Sequence, residues 1–259
     1  MKVLQKKWVT IPLLWVITFI VWQVGAWIYG PEIIPSPAAT WQGARELLSD
    51  GSLMKYIGIS FYRVFAGWAL GSLLAIPIGL TIGKVTAIRV FAEPFLNFVR
   101  FIPPIAFITL FLVWFGIGEQ SKIALIMYAT LFIVIINTLT GVLAIEEDRI
   151  RSARSMGASE WQILLHVVIP ATTPYIFTGI RLAMGTSYMA IIGAEMIAAN
   201  EGVGFLIWNS RLYFRTDWIF VGLISLGLMG FLTDRIVGWL GSKLLFRYGV
   251  INTTALRRR

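Results

Sequence analysis

Four charged residues stand inside long apolar runs: Arg63, Arg100, Arg181 and Glu195. A charge at membrane depth is costly, and it persists where it faces a bundle interior or a wet cavity. Two roles are open to these four. Arg63, Arg100 and Glu195, with Pro103, can line a translocation path on which the two arginines present positive potential to a passing anion, or Glu195 can form a structural ion pair with one of the arginines. Asp234 and Arg235 lie nearer the end of a run and read as anchors. Other chemistry fails on spacing. Gly79-Leu80-Thr81-Ile82-Gly83-Lys84-Val85 has too few residues between its glycines for a phosphate-binding loop, and Val85 stands where Ser or Thr is needed. Gly202-Val203-Gly204 lacks the third glycine of a dinucleotide fingerprint. His166 is the single histidine and has no metal-ligand spacing around it, so a structural role is expected. Cysteine is absent and no serine sits in a nucleophile elbow. Neither a catalytic residue nor a metal site is expected.

The longest hydrophilic stretch, 146–175, carries the remaining chemistry. Glu146, Glu147 and Asp148 precede a short amphipathic segment and complement a helix N-terminus. Gly157 suits a left-handed helix end, and Ala158-Ser159 a new start. Two short helices joined at Gly157 follow, with Pro170 and Pro174 expected to end the second before the chain re-enters the membrane. Such a knob suits docking to a partner protein, with Ser152, Ala153, Met156, Gly157, Ala158 and Ser159 as its contact surface.

The elements that position these residues are membrane spans. The chain has 259 residues, 58% of them hydrophobic and 14% charged, against about 25% charged in soluble domains. Mean hydropathy is +0.78. Apolar runs long enough to cross a bilayer place spans at about 9–29, 57–83, 91–116, 121–145, 176–199 and 217–241, with a short polar helix over 38–55 outside the membrane. An all-α integral membrane protein with about six helices follows, forming one domain over 1–259. Lys2, Lys6 and Lys7 before the first run resemble a signal peptide, but the run continues to about Tyr29 and is read as an uncleaved span.

The net charge of +9 is scattered at the ends of runs and forms no stripe for nucleic acid. With a cytoplasmic N-terminus, the cytoplasmic side holds Lys2, Lys6, Lys7, Lys84, Arg89, Arg149, Arg151, Arg154, Lys243, Arg247 and Arg257 to Arg259. The other side holds Arg45, Lys55, Lys122, Arg211 and Arg215. That is roughly 13 against 5, which places both termini and the 146–175 loop in the cytoplasm.

Two spans have internal features. Gly67, Gly71, Ala75, Gly79 and Gly83 recur every four residues along one helix ridge. Small residues let a second helix approach closely, either within the subunit or from another subunit. The third span is interrupted by Pro94, Pro103 and Pro104, with Arg100 just before the pair. It reads either as a broken helix lining a wet cavity or as an interfacial segment ending at Arg100, with the true span starting at Pro103.

The loop resembles the membrane subunits of type I ATP-binding-cassette importers, whose signature runs Glu-Ala-Ala, three residues, Gly, nine residues, Ile-x-Leu-Pro. Here Arg151-Ser152-Ala153, three residues, Gly157, nine residues and Val167-x-Ile169-Pro170 stand in that register, with Arg151 and Ser152 as departures. Ile34 to Pro37, Ser60 to Val64, Phe101 to Pro104, Trp114 to Gly118 and Gly193 to Glu195 look like the taurine, alkanesulfonate and nitrate permease branch. The taurine type looks nearest, and the Trp-Phe-Gly-Ile-Gly stretch makes inorganic anions a poorer match.

The resemblance implies a permease subunit in the bacterial inner membrane that moves a small organic anion, such as a taurine-like sulfonate or a carboxylate. The partners it implies are a second copy of the permease, two cytoplasmic ATPases holding ATP and Mg, and a periplasmic or lipid-anchored solute-binding protein. No cofactor would bind this chain. The competing class is an ion-coupled secondary transporter or channel. It predicts internal repeats, and no convincing repeat is visible in the sequence.

Overall fold

The computed structural model describes residues 7–248. Lys2, Lys6 and Arg257 to Arg259 lie outside the described residues. Helix α1 (Lys7–Tyr29) ends at Gly30 and is exposed and apolar along most of its length, as a lipid-facing helix should be. Its tie to the rest is aromatic: Trp22 stacks on Phe220 at 5.6 Å and donates to the Pro35 carbonyl at 2.9 Å. Ser36 then caps α2 (Pro37–Ser49), its hydroxyl accepting from the Ala39 amide, with Pro37 in the first turn. Asp50 and Gly51 end that helix and begin the next, so α3 (Ser52–Lys84) starts five residues earlier than hydropathy suggests. Ser52 donates to Asp50 through both hydroxyl and amide, which holds the Asp50 carboxyl below the usual carboxylate range.

Helices α3 and α6 (Glu119–Leu143) approach each other along the small-residue ridge, and α9 (Ile169–Ala198) packs on the other side of α6. A Cβ added at Gly67 would meet Ile126 Cβ at 2.6 Å. At Gly71 it would meet the Met127 carbonyl at 2.8 Å, at Gly79 Thr138 Cβ at 2.7 Å, and at Gly83 Val142 Cβ at 2.6 Å. Ala75 is fully buried in the same seam. The ridge therefore faces α6 of its own subunit. Lipid gives no hydrophobic drive for this contact, so close backbone approach and dispersion hold it. Thr130 and Ser187 share a hydrogen bond of 3.0 Å between α6 and α9.

The third expected span differs most. It consists of α4 (Thr86–Val99) and a second piece, a 3₁₀ turn over Pro104–Phe107 running into α5 (Ile108–Phe115), and the two are bent by 92°. Pro103 and Pro104 lack amide hydrogens, and proline disfavours helical geometry at the residue before it, so the helix cannot pass Arg100–Ile102. At 1.5 Å per residue the pieces reach roughly 21 and 18 Å, each short of a bilayer core of about 30 Å. Because α3 ends on the side of Lys84 and α6 begins on the other, the broken pair together carries the chain across. Among the described residues, five helices are long and apolar enough to span, and this pair makes a sixth crossing.

Beyond α6 come α7 (Glu147–Ser155) and α8 (Glu160–Ile163). The expectation that Pro170 and Pro174 stop a helix is wrong. A π turn over Leu164–Val168 joins α8 to α9 without a break, and Pro174 lies inside α9. The wider π turn changes hydrogen-bond register just before Pro170, where an amide donor is missing. The result is one helical run, Glu160–Ala198, of 39 residues. Gly202 then opens α10 (Val203–Leu212), and α11 (Thr216–Leu244) returns to the cytoplasmic side. Arg215 bridges Glu46 on α2 and Asp217 at the start of α11. The Asp217 hydrogen bond first, then Glu46, raises its pKa above the ordinary guanidinium value.

Candidate functional site

The cytoplasmic knob is fixed by local bonds and by a small apolar anchor. Helix α7 ends where Gly157 takes φ +80°, a left-handed geometry that glycine adopts without a Cβ penalty. The Ala158 amide donates to the Ala153 carbonyl at 3.1 Å and the Gly157 amide to Arg154 at 2.9 Å, closing the helix end. Ser159 starts α8 with a capping box: its amide donates to Gln162 Oε1 at 2.8 Å and its hydroxyl accepts from the Gln162 amide at 3.3 Å. Ala153, Ile163 and Val168 are buried against Val142 at the end of α6. Lys84 donates to the Glu160 carbonyl at 3.0 Å, which ties the α3–α4 turn to the same knob.

The expected contact residues divide accordingly. Ser152, Met156, Gly157 and Ser159 are exposed, Met156 at 81%, with Trp161 beside them at 66%. Ala158 is half-buried. Ala153 departs from that expectation: at 6% exposure it mainly anchors the knob, although it also lines a groove on the knob's surface. Arg151 is exposed and paired with Glu147 at 2.5 Å, one helical turn earlier. Pro170 is half-buried where the knob meets the span. His166, expected in a loop, lies in the π turn and bonds the Gln162 carbonyl at 3.1 Å. Between Met156 and His166 the knob holds a groove of about 410 Å³.

The in-span charges separate into paired and unpaired. Arg63 Nη1 donates to Glu195 Oε1 at 2.7 Å and to the Glu201 carbonyl at 2.7 Å. Its Nε and Nη2 hold both oxygens of Glu119 at 2.5 and 2.6 Å. Glu195 is completely buried and also accepts from Ser60 at 2.8 Å and from the Gly204 amide at 2.8 Å. The cluster joins α3, α6, α9 and the start of α10 at the outer ends of the spans. Of the two roles open to Arg63, the geometry forms the ion pair with Glu195: Arg63 is 3% exposed and four of its five N–H donors are bonded. Gly202-Val203-Gly204 completes this cluster. A Cβ at Gly202 would come within 2.4 Å of the Glu195 carboxyl carbon, so only glycine admits that group to the helix N-terminus. These glycines fail as a nucleotide motif, and the signal for their actual role is a helix-opening glycine pair shortly after the intramembrane Glu195.

Arg181 grips both oxygens of Asp234, at 2.7 Å each through Nη2. Asp234 is therefore an ion-pair partner, correcting its reading as an anchor, while Arg235 lies over the Phe231 ring at 5.1 Å. Arg100 is different. It is exposed at the bend after α4, rests over Phe101 at 5.0 Å, and makes no ion pair among the described residues. Pro103 caps the 3₁₀ turn three residues on and fixes the bend.

Known proteins place this arrangement. Residues 71–245 match the family described as the binding-protein-dependent transport system inner membrane component. The putative aliphatic sulfonates transport permease protein of Bacillus subtilis is 34% identical over 227 residues, 87% of this chain and 82% of that one. The taurine transport system permease protein of Escherichia coli is 34% identical over 185 residues, 71% of this chain and 67% of that one. The bicarbonate transport system permease protein of Synechococcus elongatus is 32% identical over 91% of each chain. Identity therefore does not separate the sulfonate type from the inorganic-anion type, as the Trp114 to Gly118 stretch had suggested. In fold, the chain superposes on an inward-facing MetNI methionine ABC transporter with a TM-score of 0.60 at 20% identity, covering 73% of this chain and 96% of the other. With six crossings, a cytoplasmic knob and these relatives, the chain belongs to the inner-membrane components of binding-protein-dependent transport systems and is an ABC transporter permease.

Proposed function

We propose that this chain is the conduit of an ATP-driven importer for a small organic anion, a taurine-like sulfonate or a carboxylate, and that the whole chain acts as one permease domain. Two copies would enclose the path. Two cytoplasmic ATPases, which hold ATP and Mg, would dock on the knobs, and a periplasmic or lipid-anchored binding protein would deliver the solute from outside. The permease itself binds no cofactor in this reading.

The observation that carries it is the continuity of the knob with a span. Met156, Gly157, Ser159 and Trp161 stand exposed beside a helical run that continues from Glu160 to Ala198. At 1.5 Å per residue that run is roughly 58 Å long. It passes Glu195 in the outer cluster, so a push on the knob reaches the outer ends of α3, α6 and α10 through one rod and one set of ion pairs. That is a stiff two-ended lever of the kind that alternating access requires. The relatives named for sulfonates and taurine support the substrate class.

The test is reconstitution of the permease in proteoliposomes with its cognate ATPase and binding protein. Taurine or an alkanesulfonate should accumulate only with ATP. Uptake driven by a proton or sodium gradient without the ATPase would establish the secondary-transporter class instead.

A further inference from the structure

The bend between α4 and α5 contains a groove of about 370 Å³, within the size range of small-molecule sites. Arg100 and Phe101 form one wall, Tyr128, Phe132 and Asn137 on α6 form the opposite wall, and Thr186 on α9 also lines it. Three of its polar groups have capacity left. Arg100 has no carboxylate partner among the described residues. The Tyr128 hydroxyl is buried and has no hydrogen-bond partner, which is unfavourable unless something occupies the site. Asn137 uses one amide hydrogen on the Ile133 carbonyl at 2.8 Å and has a second. Apart from Thr186, whose hydroxyl donates to the Ala183 carbonyl at 2.9 Å, the rest of the lining is aromatic or aliphatic.

Helix α4 leads to this groove with a polar side. At about 100° per residue, Arg89, Glu93, Asn97 and Arg100 fall in a sector of about 80°. Phe91, Phe95 and Phe98 lie on the opposite side and are exposed, as lipid-facing groups are, while Leu96 and Val99 are buried between the two. A polar stripe facing away from lipid, ending at an unpaired guanidinium beside an apolar groove, is the pattern of a site for an anion carrying a carbon chain.

We propose that this groove is a solute subsite in which Arg100 holds the oxyanion of a sulfonate or carboxylate. Tyr128 donates to the same head group, and Phe101 and Phe132 pack on its carbon chain, while Asn137, nine residues and about 13 Å further along α6, lies towards the far end of the groove. Arg100, and not Arg63 or Arg181, is then the positive group on the path, because the other two are neutralised by carboxylates. The inference deepens the transport reading and rests on it for the substrate class, but binding to the permease alone requires no ATPase.

The experiment is calorimetric titration of the purified permease in phosphatidylcholine nanodiscs with pentanesulfonate, with pentylamine as the control of opposite charge. Saturable binding of the sulfonate alone is expected. Arg100→Gln should weaken it at least about tenfold, since charge-assisted hydrogen bonds are lost, and Tyr128→Phe about threefold. Arg100→Lys should fall between wild type and Arg100→Gln. Thermal unfolding of the Tyr128→Phe and Arg100→Lys proteins should match wild type, which keeps the test valid if Arg100→Gln expresses poorly. No saturable binding, equal affinity with and without Arg100, or equal binding of pentylamine overturns the subsite. So does competition by phosphatidylglycerol in the disc, which makes a lipid phosphate the occupant. Arg100-dependent binding in a protein without ATP-driven uptake would sink the transport reading and leave the subsite standing.

Discussion

The outer charge cluster and the cytoplasmic knob stand at opposite ends of one helical run, Glu160–Ala198, yet they are finished in opposite ways. Around Glu195 every charge meets another: Arg63 binds two carboxylates and a carbonyl, and Ser60 and the Gly204 amide take the remaining capacity. Around Gly157 most bonds are short-range ones that set shape, with Lys84 reaching Glu160 from the end of α3, and Met156 and Trp161 stay exposed. Satisfied groups hold helices together, whereas unsatisfied apolar surface on a stiff support waits for a partner. The contrast fits a structural role for the first region and the proposed docking role for the second.

The sharpest way to break that contrast is to remove one member of the buried cluster. Arg63→Gln leaves Glu195 uncompensated and should cost about 3–5 kcal/mol, seen as a lower unfolding temperature and reduced yield in the membrane. Glu195→Gln in the same chain should recover part of the loss. An Arg63→Gln protein with wild-type stability and slowed uptake would return Arg63 to the path. Next in size is the α3–α6 seam. Gly79→Val pushes a side chain into Thr138 and should destabilise by about 1–3 kcal/mol, whereas Gly185→Ala, which opens onto free space, should stay within about 0.5 kcal/mol. Equal unfolding temperatures for the two would mean that the seam is not close-packed. The smallest effect belongs to the knob. Ser159→Ala removes the capping hydroxyl and should cost about 1 kcal/mol, confined to faster hydrogen exchange over 159–163. A fall in the unfolding temperature of the whole bundle would show that the knob is part of the core.

Much of this was legible in the sequence because it is local. Hydropathy blocks, the lysine and arginine bias, the four-residue ridge and the Gly157 turn each depend on neighbours within a few positions. What failed was set by distant or three-dimensional context. The pairing of Arg63 with Glu195 joins residues 132 positions apart, and a single sequence carries no record of it. Ala153 looked like surface because its helix is polar, but burial against Val142 depends on how the knob folds back on α6. Pro170 and Pro174 were read by the rule that proline stops helices, and a π turn upstream absorbed the missing donor. The polar stripe of α4, Arg89, Glu93, Asn97 and Arg100, is periodic and local, and so is legible in the sequence.

The central claim is that the knob transmits force from an ATPase, and Gly157→Asp tests it most directly. A Cβ at Gly157 meets nothing within 4 Å, so the cost is confined to the left-handed backbone, of order 1–3 kcal/mol, and the charge lands on the contact face. ATP-driven uptake should be abolished in proteoliposomes while the protein reaches the membrane and unfolds near the wild-type temperature. Uptake at the wild-type rate would contradict the account.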